Sequence, residues 1–299
     1  MSRLVAWIAL VALLAACERP ARVGPVAPAE PPSHTRTISQ ANGFLEIRVT
    51  APDAPAGPKP AVISYVEELR APLLEAGVVV VAYQLHWDLL KGLVPPPSPD
   101  APPPPPNPIG KWLLASPSPQ VIGKGYLKII DANARDTVGK VLDALADDPD
   151  VDPTRIGILG FSTNAFVALQ ATALNPRIRA TVAVAGCADY HRFLHESSLA
   201  MNGEPLTLAP DYDAWLRDLE LTHHPLRMVH AAVLMVNGRA DLPIPISCAE
   251  STARALRRAY RRVGTPERFR FVVIDEGHAL NDLARRETLE WIDRWLVRR

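Results

Sequence analysis

Short runs of apolar and β-branched residues recur along this chain, each followed by a stretch with helical spacing. The runs are "FLEIRV" at 44–49, "AVISYV" at 61–66, "VVVVAY" at 78–83, "RIGILG" at 155–160, "ATVAVAG" at 180–186, "AVLMVNG" at 232–238 and "FRFVVID" at 269–275. Several are apolar throughout, as strands buried on both faces must be. Within 126–145, Tyr126, Ile130, Val138, Val141, Leu142 and Leu145 fall on one helical face, and Leu280, Leu283, Ile292, Trp295 and Leu296 repeat that pattern near the C-terminus. This alternation predicts an α/β domain built on a mostly parallel sheet with helices on both faces.

Two segments interrupt it. Residues 95–108, "PPPSPDAPPPPPNP", hold ten prolines in fourteen positions and are expected to be polyproline-like, because proline fixes φ and donates no amide. Residues 188–229 contain no clear strand and are expected to form a lid. Both follow parallel strands, so both are expected at the carboxyl edge of the sheet, where such folds place their sites. The proline run reads either as an inert spacer or as a rim of the site, with Trp112 and Leu113 just beyond it.

Length and charge then narrow the reading. The 299 residues, 48% apolar, suit one α/β domain with a full core. Thirty-two basic against thirty-two acidic residues leave no general attraction to nucleic acid, which is not expected as a partner. At the start of the chain, Arg3 precedes an apolar run from Leu4 to Ala16, a secretory layout too short to span a bilayer comfortably. The run ends Leu14-Ala15-Ala16-Cys17, which resembles the bacterial lipobox, in which the cysteine is acylated. That resemblance implies a signal peptide over 1–16 and lipidation at Cys17. Glu18 stands where an aspartate would resemble an inner-membrane retention signal, so the expected location is the cell envelope, on the periplasmic face of the outer membrane. Residues 17–40, with few large apolar side chains and no periodicity, are expected to be a disordered tether, leaving 41–299 as the folded domain.

The candidate chemistry lies in three turns. "GILGFSTN", 157–164, delivers Ser162 between a predicted strand and a predicted helix, with small Gly160 on the strand side. A serine in so tight a turn is held in a strained conformation with its hydroxyl above the sheet. "VNGRADLPIP" places Asp241 beyond a later strand, and "DEGHALND" places His278 beyond the last one. Serine, aspartate, histidine is the chain order of the α/β-hydrolase triad, and spacings of 79 and 37 residues leave room for the lid and then for a helix and a strand. In that chemistry His278 takes the proton from Ser162, while Asp241 fixes the ring and stabilises the imidazolium.

The stretches "VDPTRIGILGFSTNAFVAL", "LMVNGRADLPIP" and "EGHAL" resemble small bacterial esterases of the α/β-hydrolase superfamily related to dienelactone hydrolases and to the catalytic domain of prolyl oligopeptidases. The resemblance covers about residues 42–299 and implies an α/β-hydrolase fold with a lid insertion. It also implies a serine carboxylesterase acting on small-molecule esters through an acyl-enzyme, with no metal or cofactor. Dienelactone hydrolases proper use cysteine, so Ser162 favours the esterase branch; with no propeller-like sequence ahead of the domain, peptidase action is the weaker expectation. The resemblance further places the oxyanion hole at the Thr163 amide and at a loop amide, that of Glu68 by register or of Glu67.

Two departures bear on activity. Asn164 replaces a glycine usual after the nucleophile, and "SYVEEL" carries Val66-Glu67 where relatives have His-Gly. An inward carboxylate at Glu67 or Glu68 would oppose an oxyanion, so both side chains are expected to face solvent. These departures motivate the alternative of a noncatalytic binding or scaffolding lipoprotein. Asp189 is the rival acid, while Asp275 is expected only to end its strand. His191 and His195 read as a solvated lid helix rather than a metal site, and His223-His224 as loop. Phe193, Leu194, Leu199, Met201 and Trp215 line an acyl pocket or pack the lid down. Cys187 and Cys248 are expected as buried free thiols, with a disulfide as the alternative in an oxidising compartment.

Overall fold

The computed structural model describes residues 31–39, 45–85, 119–200 and 207–298. The N-terminal segment expected to be a signal peptide, with Cys17, and the proline run, Trp112, Leu113 and Met201 lie outside the described residues.

Eight strands form one sheet: β1 (Ser33–Ser39), β2 (Glu46–Pro52), β3 (Lys59–Ser64), β4 (Val79–Tyr83), β5 (Val151–Phe161), β6 (Ile178–Val184), β7 (Ala232–Gly238) and β8 (Phe269–Ile274). Their spatial order is β1-β2-β4-β3-β5-β6-β7-β8. β1 and β2 run antiparallel to each other, β2 runs antiparallel to β4, and every other pairing is parallel. The connections carry α1 (Arg70–Glu75), α2 (Pro119–Ala132), α3 (Val138–Ala146), α4 (Thr163–Leu174), α5 (Tyr190–Glu196), α6 (Pro210–Leu219), α7 (Ile246–Arg262) and α8 (Asp282–Ile292). A π-turn at Asn133–Thr137 joins α2 to α3.

The apolar runs become central strands because both of their faces are covered. Along β7, Val233 and Met235 enter the core beneath α2, α3, α4 and α7, while Ala232, Leu234 and Val236 enter the one beneath α1 and α8. Burying each large side chain contributes about 1.5–3 kcal/mol. The predicted helical face on α2 and α3 is the buried one: Ile130, Val138, Val141, Leu142 and Leu145 are all inside.

One boundary differs. The expected tether stops short, because Ser33–Ser39 pairs along its whole length with β2. This edge strand is held by backbone hydrogen bonds and polar stitches, with Ile38 partly packed against the core. Arg36 reaches Asp148 and Asp150, and His34 reaches Asp53 at 2.9 Å and Asp150 at 3.0 Å. Apolar periodicity therefore carries no signal for it.

Among the described residues, the lid segment holds α5, α6 and a short turn at Pro225–Met228. Phe193 and Leu194 are both buried, Phe193 edge-on to Phe166 of α4 at 5.2 Å and Leu194 beside Gly123 of α2, so these two pack the lid down. Trp215 lies under the Lys128 ammonium at 3.5 Å, tying α6 to α2.

Candidate active site

Strand β5 ends at Phe161 and helix α4 begins at Thr163, so Ser162 alone makes the turn. Its backbone has φ 57° and ψ −121°, a region costing about 1–3 kcal/mol for a residue with a Cβ. The surroundings enforce it. The Ser162 amide donates to the Val184 carbonyl at 2.9 Å, and the Ser162 carbonyl accepts from the Ala165 amide at 2.9 Å. A Cβ on Gly160 would lie 2.0 Å from the Asn164 carbonyl oxygen, and one on Gly186 would lie 2.5 Å from Ala165 Cβ. Glycine at both places lets strand and helix close on the serine. Asn164 needs no unusual backbone: among the described non-glycine residues only Ser162 and Ala185 have positive φ. It sits in the first turn of α4, where its side chain is accommodated.

Two more loops meet at the same edge. The Arg239 amide donates to the Ile274 carbonyl at 2.8 Å and the Ala240 amide to the Glu276 carbonyl at 3.0 Å, zipping the loop after β7 to the loop after β8. A Cβ on Gly238 would come within 2.1 Å of the Gly277 carbonyl oxygen, so this approach also requires glycine. The junction brings Asp241 Oδ2 to 2.8 Å from His278 Nδ1. Asp241 is 4% exposed, and its other oxygen accepts the Ile244 amide at 2.8 Å, which fixes the carboxylate plane. With Nδ1 so engaged, Nε2 is the free face of the ring. The imidazole lies 4.9 Å from the Phe161 ring, beside the serine turn.

The rival acids are occupied elsewhere. Asp189 caps α5 by accepting the Arg192 amide at 3.1 Å, and Asp275, largely exposed, pairs with Arg239 at 2.9 Å. On the oxyanion side, Thr163 is the first residue of α4, where the helix offers its amide no carbonyl partner. Its hydroxyl oxygen accepts from the Tyr126 hydroxyl at 3.2 Å, an anchor across 37 residues that the periodicity presented only as core. Glu67 and Glu68 lie in a short turn (Glu67–Leu69), both exposed, and Glu67 meets Arg70 at 3.3 Å. Neither carboxylate points inward.

Cys187 and Cys248 are joined by a disulfide with a Cα–Cα distance of 5.7 Å, in place of the expected free thiols. Cys187 follows β6 and Cys248 opens α7, neighbours in space whose pairing distance along the chain conceals. Nor is His191 simply solvated: Nδ1 lies 2.8 Å from Glu220 and Nε2 2.6 Å from Asp213, while His223 meets Glu220 at 3.0 Å. Burial opposes a charged His191 ring, but the hydrogen bonds to Asp213 and Glu220 outweigh it and raise its pKa. Both ring nitrogens face carboxylates, so this is an ionic latch within the lid. Among the described residues no cluster of three or more His, Cys, Asp or Glu has the arrangement of a metal site.

An eight-stranded, mostly parallel sheet covered on both faces, with a strained serine and an aspartate-bound histidine at its carboxyl edge, defines the α/β-hydrolase class. The prolyl oligopeptidase family profile matches residues 124–299, more than half the chain, and the protein belongs to that family, as a serine hydrolase of the α/β type. Among solved structures, TT1662 from Thermus thermophilus is similar over 89% of this chain and 99% of its own, at 20% identity and a TM-score of 0.60. A dienelactone-hydrolase-type protein of Klebsiella pneumoniae subsp. pneumoniae is similar over 89% and 98%, at 19% identity and a TM-score of 0.57. A puromycin-hydrolyzing peptidase of Mycobacterium tuberculosis is similar over 93% of this chain and 41% of its own, at 19% identity and a TM-score of 0.59. At these identities the likeness is one of fold. No curated protein matches the sequence.

Proposed function

We propose that this protein is a serine carboxylesterase acting on small-molecule esters. Ser162 Oγ attacks the ester carbonyl as His278 Nε2 takes its proton. The tetrahedral oxyanion is received by the Thr163 amide and an amide of the Tyr65–Glu68 loop, that of Glu68 by register. Collapse expels the alcohol, which takes the proton from His278, and water then releases the acid from the acyl-enzyme by the same steps in reverse roles. The observation that carries this reading is the 2.8 Å bond from His278 to buried Asp241, placed beside a serine at φ 57°. An ester is favoured over an amide because an alkoxide leaves with less help than an amine. The loop without His-Gly is therefore better suited to the easier leaving group.

The test sets a panel of acyl esters of graded chain length, and the matching amides, against a fluorophosphonate probe. Ester turnover with labelling at Ser162 supports the reading; amide turnover of equal efficiency would assign a peptidase instead. A chain that neither labels nor turns over ester would be a binding module on a hydrolase fold.

The same proposal places the protein outside the cytoplasm, lipidated at Cys17 and held at the periplasmic face of the outer membrane. The Cys187–Cys248 disulfide supports an oxidising compartment. Mass spectrometry of the N-terminus from native membranes tests this: an unmodified Cys17 overturns it.

A further inference from the structure

The loop that carries the triad aspartate reads Asp241-Leu242-Pro243-Ile244-Pro245, and its two prolines leave it little freedom. Proline fixes its own φ and restricts the residue before it. The softest element that remains is the planar peptide unit between Pro243 and Ile244, which can still turn through ψ of Pro243 and φ of Ile244. Asp241 leans on that unit. The Ile244 amide donates to Asp241 Oδ1 at 2.8 Å, and the other carboxylate oxygen lies 2.8 Å from His278 Nδ1. Whatever orients this peptide plane therefore orients the carboxylate.

The carbonyl end of the same plane is held from the lid. Ser197, fully buried, directly follows α5, and its hydroxyl donates to the Pro243 carbonyl at 2.6 Å. The hydroxyl oxygen accepts the Leu199 amide at 3.1 Å, which leaves its proton to Pro243. The Ser198 amide donates to the Leu242 carbonyl at 3.1 Å, so consecutive lid residues take consecutive carbonyls of the aspartate loop. Helix α5 is a fixed point for this purpose because its other end is pinned to the same region. Cys187, two residues before the Asp189 cap, is joined to Cys248 in the first turn of α7, and the Ala188 amide donates to Thr252 Oγ1 at 2.8 Å. Ser247 also meets Glu196 at the end of α5. Helix and loop form one stitched unit.

We propose that Ser197 is a positioning residue for the triad aspartate: through the Pro243–Ile244 peptide it sets the carboxylate of Asp241 against His278. The links run from hydroxyl to carbonyl, from amide to carboxylate and from carboxylate to imidazole, at 2.6, 2.8 and 2.8 Å. A carbonyl that accepts a hydrogen bond polarises the amide of its own peptide, so each link strengthens the next. The relay transfers no proton; it fixes direction. Its effect on catalysis rests on the proposed chemistry of Ser162 and His278, whereas the geometry it sets can be read without turnover.

The experiment assays the full chain with a short acyl ester and, on protein isotope-labelled at histidine, records the low-field proton resonance of the His278–Asp241 hydrogen bond. Ser197→Ala removes the donor and leaves a buried carbonyl unpaired; kcat should fall about tenfold with KM unchanged, and the resonance should move upfield. In an Asp241→Asn background the same substitution should lower kcat no further, because the relay acts only through the carboxylate. Tyr260→Phe controls for lost stability. That buried hydroxyl lies 2.7 Å and 2.8 Å from the Met228 and Ala231 carbonyls, just before the amino end of β7, and its loss should leave kcat and the resonance unchanged. Should Ser197→Ala not fold, Ser197→Cys, close in size but a weaker donor, should show the same changes to a smaller degree. An unchanged kcat, or a further loss of the same size on top of Asp241→Asn, overturns the proposal. A wild type that turns over no ester would instead overturn the esterase reading; an upfield shift in the serine variant would then support the assignment of Ser197, and a resonance that stays in place would overturn it.

Discussion

The two edges of this sheet are built on opposite principles. At the carboxyl edge, Ser162, Asp241 and His278 sit in tight turns whose geometry is set by backbone contact: Gly160 on Asn164, Gly186 on Ala165, Gly238 on Gly277. The side chains there are short, and Asp241 is almost fully enclosed. At the amino edge a cleft is lined by the long side chains of Arg155, Arg179 and Arg268 and by Trp295, and among the described residues no tight glycine turn shapes it. Backbone closure suits bond-making, which tolerates little displacement.

Breaking the carboxyl edge should have the largest consequence. Ser162→Ala is expected to lower ester turnover by about 10⁶-fold and to remove fluorophosphonate labelling. The melting temperature should barely move, because the hydroxyl contributes little packing. Full turnover in that variant would sink the nucleophile assignment. Next comes Asp241→Asn, expected to lower kcat by about 10⁴ by permitting the wrong histidine tautomer. Asp189→Asn, which removes only a helix cap, should leave kcat nearly unaltered and cost about 1 kcal/mol of stability. The reverse order in kcat would transfer the acid role to Asp189.

The disulfide joins the segment after β6 to the first turn of α7, and the two cysteines are 61 residues apart in the chain. A Cys187→Ala, Cys248→Ala double variant should lose about 4 kcal/mol in denaturant unfolding on the chain-entropy account. No change would mean that the bond adds nothing to the wild-type fold.

The smallest effect expected is in the lid latch. Because the pKa of His191 is raised in the folded protein, the charged ring adds stability in full below the ordinary imidazole value, about 6.5. That contribution is lost as pH rises through the raised value. Arg217, which pairs with Asp213 at 3.0 Å, and His223 on Glu220 share the cluster. The melting temperature of His191→Gln should therefore fall furthest below wild type in mild acid and converge on it at alkaline pH. A gap independent of pH would show that His191 contributes packing alone.

Much of the carboxyl edge was legible along the chain. Apolar runs mark the central strands because both faces are buried, and the turn residues that follow them mark where side chains emerge above the sheet. Serine, aspartate and histidine could be selected together because the parallel topology sends every strand end to one side. Charge gave no such help at the other edge: Arg155, Arg179 and Arg268 are scattered among thirty-two basic residues, and only the adjacency of β5 to β8 gathers them.

What the sequence determined by itself is therefore what short-range physics encodes: the order of strands and helices, the glycines that permit close turns, and the identity of the residues in those turns. Tertiary structure alone decided the 2.8 Å bond between Asp241 and His278, the pairing of Cys187 with Cys248, the Tyr126 anchor on Thr163, and the His191 latch. It also decided that Ser33–Ser39, polar and without periodicity, is a strand rather than tether. Each of these depends on partners elsewhere in the chain, from Glu46 opposite Ser39 to Asp150 against His34, whose proximity follows from sheet order and register and leaves no trace in local composition.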